Sequence, residues 1–272
     1  MSIWPGGIMW AESMRSAEAR LILCWTAAVL CAASALLGGS VQNAFLDVVL
    51  DAGQIRLYLF NAVRQIFLFA FPSLLILFAR PQRWRRFAGE CRPVPAEAVS
   101  YGILLAAGGT IAVSVIASVW ARWLSSLTGY GGTELSLPVP GSVPEWTASL
   151  LAVAVIPALC EELLFRGLLQ GGLCRFLPRG GVWIAACVFA AVHGRWDAFP
   201  ALVLVGWVLG KTYRYRGYFC SVLLHALYNG AVLWFSAVEV SVSLLLVLTC
   251  FIACFFSLRG LFRETPADAA VP

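Results

Sequence analysis

The sequence predicts an all-α, polytopic bundle of about eight membrane helices. Three observations carry that expectation. The 272 residues are 61% hydrophobic and only 12% charged, with a mean hydropathy of +0.84. Apolar runs close to span length recur along the chain, and the basic residues gather in alternate connections between them. A soluble domain is about a quarter charged and about half apolar, and disordered chains are poor in apolar residues, so both classes are excluded.

The runs can be taken in order. Residues 1–20 are a polar tail. An uncharged stretch, Leu21–Gly38, follows Arg15 and Arg20 and is read as a retained first span, being longer than the roughly 7–15-residue apolar core of a signal peptide; its Ala-rich end keeps a cleaved signal peptide as the alternative. The second runs from Leu57 to Ala79, with Arg64 and Gln65 inside it, Pro72 as a kink, and a basic cluster (Arg80, Arg83, Arg85, Arg86) behind it. The third, Ala98–Ala121, is uncharged. A Gly-, Pro-, Ser- and Thr-rich connection from Arg122 to Glu145 reads as an external loop. The fourth begins at Trp146 and meets Glu161 and Glu162. The fifth, about Gly180–Gly194, carries His193. The sixth, Ala198–Gly210, is short. The seventh, Gly217–Val238, holds His225, and the eighth is Val240–Leu258. The expected organisation is a cytoplasmic tail (1–20), three spans and an external loop (21–145), a core of five spans (146–258) and a second cytoplasmic tail (259–272).

Charge placement supports that count. With the N-terminus inside, fourteen basic residues fall on the cytoplasmic side and three (Arg56, Arg122, Arg195) outside, the asymmetry that governs orientation. The expectation is a multi-pass protein of the cell's inner (plasma) membrane with both termini cytoplasmic. The net charge of +5 forms no basic stripe, so a nucleic-acid partner is not expected; the bilayer is. The nine cysteines show no metal-ligand or disulfide spacing and read as small buried apolar residues.

Charged groups inside a span cost at least about 2.5–3.5 kcal/mol each on insertion scales, so each needs a reason. Of fourteen acidic residues only Glu161 and Glu162 sit deep in an apolar run, and so do both histidines of the chain, His193 and His225. Glu162 and Arg166 are four apart on one helix face and can pair, while Glu161, turned by about 100°, is free to face another helix. Pro157, four residues before Glu161, removes a backbone donor. Phe189 shares a face with His193, and His225 shares one with Asn229. Counted at about 1.5 Å per residue, Glu161, His193, His225 and Asn229 reach a common level below the cytoplasmic surface.

The ordered set Glu161-Glu162-x-x-x-Arg166, Phe189-x-x-x-His193 and His225-x-x-x-Asn229 resembles the three signature motifs of the CPBP family, the intramembrane proteases related to the CAAX prenyl endopeptidases and bacteriocin-processing (Abi-like) proteins. The resemblance covers about Trp146 to Val238. It implies peptide-bond hydrolysis within the bilayer on a membrane-associated protein or peptide. In that reading Glu161, beside Glu162, is the general base on a water that His193 helps to hold. His225 and Asn229 donate to the oxyanion, while Arg166 and Phe189 support the site. No cofactor is expected. Zinc held by Glu161, His193 and His225 stays open as the alternative, although the HExxH spacing of common zinc proteases is absent. Two other classes remain beside it: a proton-coupled transporter, for which the halves show no repeat, and a non-catalytic membrane scaffold.

Overall fold

A computed structural model of the chain describes residues 54–79, 81–132, 139–175, 177–178, 180–238 and 243–263. The expected first span Leu21–Gly38, the N-terminal tail and all but the first residues of the C-terminal tail lie outside these. The described residues form eight helices and no strand: α1 (Ile55–Phe78), α2 (Pro81–Glu90), α3 (Ala96–Thr128), α4 (Val143–Leu173), α5 (Gly180–Val192), α6 (Phe199–Arg216), α7 (Tyr218–Ala237) and α8 (Leu244–Leu261).

These are not the eight expected spans. Five of them, α1, α3, α4, α7 and α8, are long and apolar enough to cross a membrane. Helix α2 is a ten-residue connector with Arg83, Arg85 and Arg86 along it. Helix α5 has 13 residues, and at 1.5 Å per residue its length of about 20 Å falls short of the roughly 30 Å hydrocarbon core. Helix α6 ends in Lys211, Arg214 and Arg216. The two pack as a short hairpin whose tip carries His193.

Each long helix shows why its residues sit where they do. On α1, Tyr58, Ala62, Gln65, Phe69, Ser73 and Leu77 are buried, while Leu59, Val63, Phe67, Phe71, Leu75 and Phe78 are exposed. That is one helical stripe turned to the bundle and an opposite apolar stripe left for lipid. Helix α8 likewise exposes Leu244, Leu245, Leu248, Ile252, Phe255 and Phe256. Helix α3 runs on to Thr128, seven residues past the expected end, and stops at Gly129, whose φ of 72° closes a left-handed cap. Apolar content alone misplaced that boundary, because polar residues prolong a helix once it leaves the hydrocarbon. Helix α4 starts three residues early, on an N-cap serine whose turn Glu145 closes from behind. Ser142 Oγ accepts the Glu145 N–H at 3.4 Å, and the Glu145 carboxylate accepts the Gly141 N–H at 2.7 Å.

One end of the bundle is tied together by Arg216. Its Nε donates to Leu261 O at 2.9 Å and Nη2 to Gly260 O and Arg263 O at 3.2 and 3.1 Å, capping the last turn of α8. Its Nη1 lies 3.5 Å from Glu97 in the first turn of α3. The C-terminal ends of α6 and α8 and the start of α3 therefore share one level.

Candidate active site

Helix α4 is where the site begins, and Pro157 sets its local form. Lacking an N–H, Pro157 cannot donate to Val153 O four residues earlier. The preceding segment, Leu150–Val155, widens to π turns, and Ile156 donates to Leu151 O rather than Ala152 O. Two carbonyls are thus released, and neighbouring helices serve them: Asn229 Nδ2 on α7 donates to Val153 O at 3.3 Å, and Asn61 Nδ2 on α1 to Ala152 O at 2.8 Å. The helix tightens over Ile156–Glu162 and widens again over Leu163–Gln170. π turns of this kind are frequent at functional sites, and here they bracket both glutamates.

Glu162 is fully buried and serves as the hub. Its Oε2 accepts Arg166 Nε at 3.0 Å and the Ser221 hydroxyl, and its Oε1 accepts His225 Nδ1 at 3.1 Å. The expected Glu162–Arg166 pair is present, with both side chains at 0% exposure. Arg166 also stands 5.2 Å over the Phe189 ring, a desolvated cation–π contact. Phe189 in turn packs edge-on against Phe165 and His225.

The two imidazoles are fixed by groups that can only accept. His193 Nδ1 meets Phe189 O at 2.7 Å, and His225 Nδ1 meets the Glu162 carboxylate. Both Nδ1 atoms therefore carry the proton, and both Nε2 atoms face the interior of the site. There they converge on Glu161. Its Oε2 lies 3.9 Å from His193 Nε2 and 3.9 Å from His225 Nε2, and it has no hydrogen-bond partner of its own. That separation is too long for a direct hydrogen bond and suits one bridging oxygen atom. The other oxygen, Oε1, accepts Gln65 Nε2 at 3.3 Å.

The structure thus gathers Glu161, His193 and His225 around one point and backs them with Glu162, Arg166 and Phe189. Two placements differ from expectation. His193 is not within a span: α5 stops at Val192, His193 sits in the turn that Gly194 closes at φ 66°, and its side chain is 31% exposed. Because α5 is short, that turn still reaches the level of Glu161. His225 in its neutral form has no N–H to offer an oxyanion, since Nδ1–H is spent on Glu162; only its imidazolium donates from Nε2. Asn229, one turn along α7, uses one N–H on Val153 and keeps a second.

Sequence reasoning missed Ser221 and the buried bond of Tyr218, whose hydroxyl donates to Leu159 O at 2.8 Å. With His225 they form a stripe at i, i+3 and i+7 on α7, all bonded to α4, and that spacing was the available signal. Among the described residues, no group of three or more His, Cys, Asp and Glu stands at metal-holding geometry. The chemistry of the Glu161, His193 and His225 donors is nonetheless of the zinc-binding kind, since each Nδ1–H is given to a carboxylate or carbonyl as in metal-ligating histidines.

Residues 143–231, which carry all three motifs, match the family model described as type II CAAX prenyl endopeptidase Rce1-like. The chain is 32% identical over 159 residues to the uncharacterized protein YpbD of Bacillus subtilis (strain 168), over 53% of this chain and 75% of that one. No solved structure matches.

Proposed function

Since the chain belongs to the Rce1-like family of type II CAAX prenyl endopeptidases, we propose that it hydrolyses a peptide bond of a membrane-associated protein or peptide, using a water activated by Glu161. The observation that carries the proposal is the convergence of His193 Nε2 and His225 Nε2 on the unpartnered Glu161 Oε2. A water at that point transfers one proton to Glu161 as its oxygen attacks the substrate carbonyl, and keeps the other in a hydrogen bond to His193 Nε2. His225 acts as the imidazolium: Glu162 stabilises it through Nδ1, as the buried carboxylate does in a catalytic triad, and Nε2–H meets the oxyanion. The second N–H of Asn229 completes the oxyanion site. Donors of this kind are typically worth about 3–4 kcal/mol each. As the tetrahedral intermediate collapses, the carbon–nitrogen bond breaks and Glu161 returns its proton to the leaving amine. Arg166 is the counter-charge of Glu162 and takes no part in the chemistry.

The site lies in a bundle whose apolar faces suit lipid, so the substrate reaches it from the membrane. The deciding experiment compares membrane proteomes of cells carrying wild-type protein and Glu161→Ala. An uncleaved membrane-associated precursor is expected in the variant, and identical proteomes would refute hydrolysis.

A second reading has its own observation, the matched contacts of both histidine Nδ1 atoms with acceptors, Phe189 O and the Glu162 carboxylate. A zinc ion would take Glu161 Oε2 and the two Nε2 atoms and would supply Lewis acidity to the water. Metal content and cleavage after exhaustive chelation separate the two. Activity persisting without metal is expected; loss on chelation with recovery on added zinc would replace the glutamate mechanism.

A further inference from the structure

Gln65 lies on α1, outside the segment that matches the family, and it is 8% exposed. Its Nε2 donates to Glu161 Oε1 at 3.3 Å. An ionised carboxylate only accepts, so this contact fixes the amide: the nitrogen faces Glu161 and Oε1 faces elsewhere. That Oε1 is buried and has no hydrogen-bond partner. Buried polar atoms are almost always paired, so an unpaired carbonyl beside the base calls for a ligand.

The helix is built to hold it there. One turn earlier Asn61 anchors α1 to Ala152 O, and one turn later Phe69 packs on Phe165 at 6.2 Å between ring centroids. The charged neighbour Arg64 is held by Asn61 Oδ1 at 2.7 Å.

Counting donors and acceptors names the ligand. In the hydrolytic reading, on which this inference rests, one O–H of the water faces Glu161 and the other is hydrogen-bonded to His193. The substrate carbonyl goes to His225 and Asn229. The remaining polar group of a peptide chain is its N–H, and the remaining acceptor is Gln65 Oε1. We propose that Gln65 is a substrate-binding residue of the active site. Its Nε2 fixes Glu161 so that Oε2 meets the water, and its Oε1 accepts a main-chain N–H of the substrate beside the scissile bond.

Membranes carrying Glu161→Ala supply the probe, the precursor they accumulate. Added wild-type enzyme and two variants in detergent are followed for its cleavage across pH, with thermal midpoints as a control. Gln65→Met keeps the length and loses both polar atoms; cleavage should slow roughly 10–100-fold, the worth of a hydrogen bond to a charged group, at an unchanged midpoint. Gln65→Glu should be inactive at neutral pH, where two carboxylates repel. It should recover relative to wild type as pH falls, because the introduced carboxyl then both donates to Glu161 and accepts from the substrate. A role in folding alone would move the thermal midpoint together with cleavage, whereas here cleavage recovers at an unchanged midpoint. Wild-type cleavage by Gln65→Met overturns the inference and leaves the hydrolytic reading standing. If Gln65→Met does not fold, a pH profile for Gln65→Glu parallel to that of wild type overturns it. No precursor in the Glu161→Ala membranes removes both.

Discussion

Glu161 and Glu162 are adjacent in sequence and face different helices, and their surroundings divide their work. Glu162 accepts three side-chain hydrogen bonds, and Arg166 depends on it. Glu162→Gln leaves a buried guanidinium without its counter-charge, a loss of about 3–5 kcal/mol. A clearly lowered thermal midpoint in detergent is therefore expected. Glu161→Gln keeps shape and keeps an acceptor for Gln65, so the midpoint should stay at the wild-type value while cleavage falls at least about 100-fold, the contribution of a general base. Equal midpoints for the two variants would contradict this division. Ser221→Ala probes the same hub: it removes one donor from Glu162 while sparing the ion pair. A loss of about 1–3 kcal/mol, smaller than for Glu162→Gln, is the expected ordering of the melting curves.

At the scale of the element, α4 owes its form to one proline. Pro157 frees Val153 O, and Asn229 takes it. If that is why Asn229 stands where it does, the two positions are energetically coupled. Asn229→Ala should cost about 1–3 kcal/mol by stranding the carbonyl. It should cost distinctly less in a Pro157→Ala background, where the restored N–H serves Val153 O. A double-mutant cycle on thermal midpoints measures the coupling, and strict additivity would show that the amide bond to Val153 contributes nothing. The motif residues were legible in the sequence because ionisable groups inside apolar runs are costly and stand out. Gln65 stood out with Arg64 as a polar interruption of the second run, but its bond to Glu161 did not. Asn61 and Ser221 did not stand out, since neutral polar residues are ordinary in membrane helices and only the packing of α1 and α7 on α4 gives them partners. The end of α5 was also hidden: the apolar pattern continues through His193, and only Gly194 hints at the turn.

The whole molecule poses a question of sidedness that two independent observations address. Charge counting along the sequence places the connections after Arg216 and after Arg263 in the cytoplasm. The structure uses no charge count, yet it brings the same two places together, because Arg216 at the end of α6 caps the carbonyls of Gly260, Leu261 and Arg263 at the end of α8. A hydrogen bond at about 3 Å cannot join opposite faces of a bilayer. Topology reporters fused after Arg216 and after Arg263 should therefore report the same compartment, and the basic bias makes it the cytoplasm. The two results fail separately. Reporters on opposite sides would contradict the packing of α6 against α8. Reporters both outside would keep the packing and invert the protein, placing the Glu161 site nearer the outer surface and changing which face of the membrane its substrates approach from.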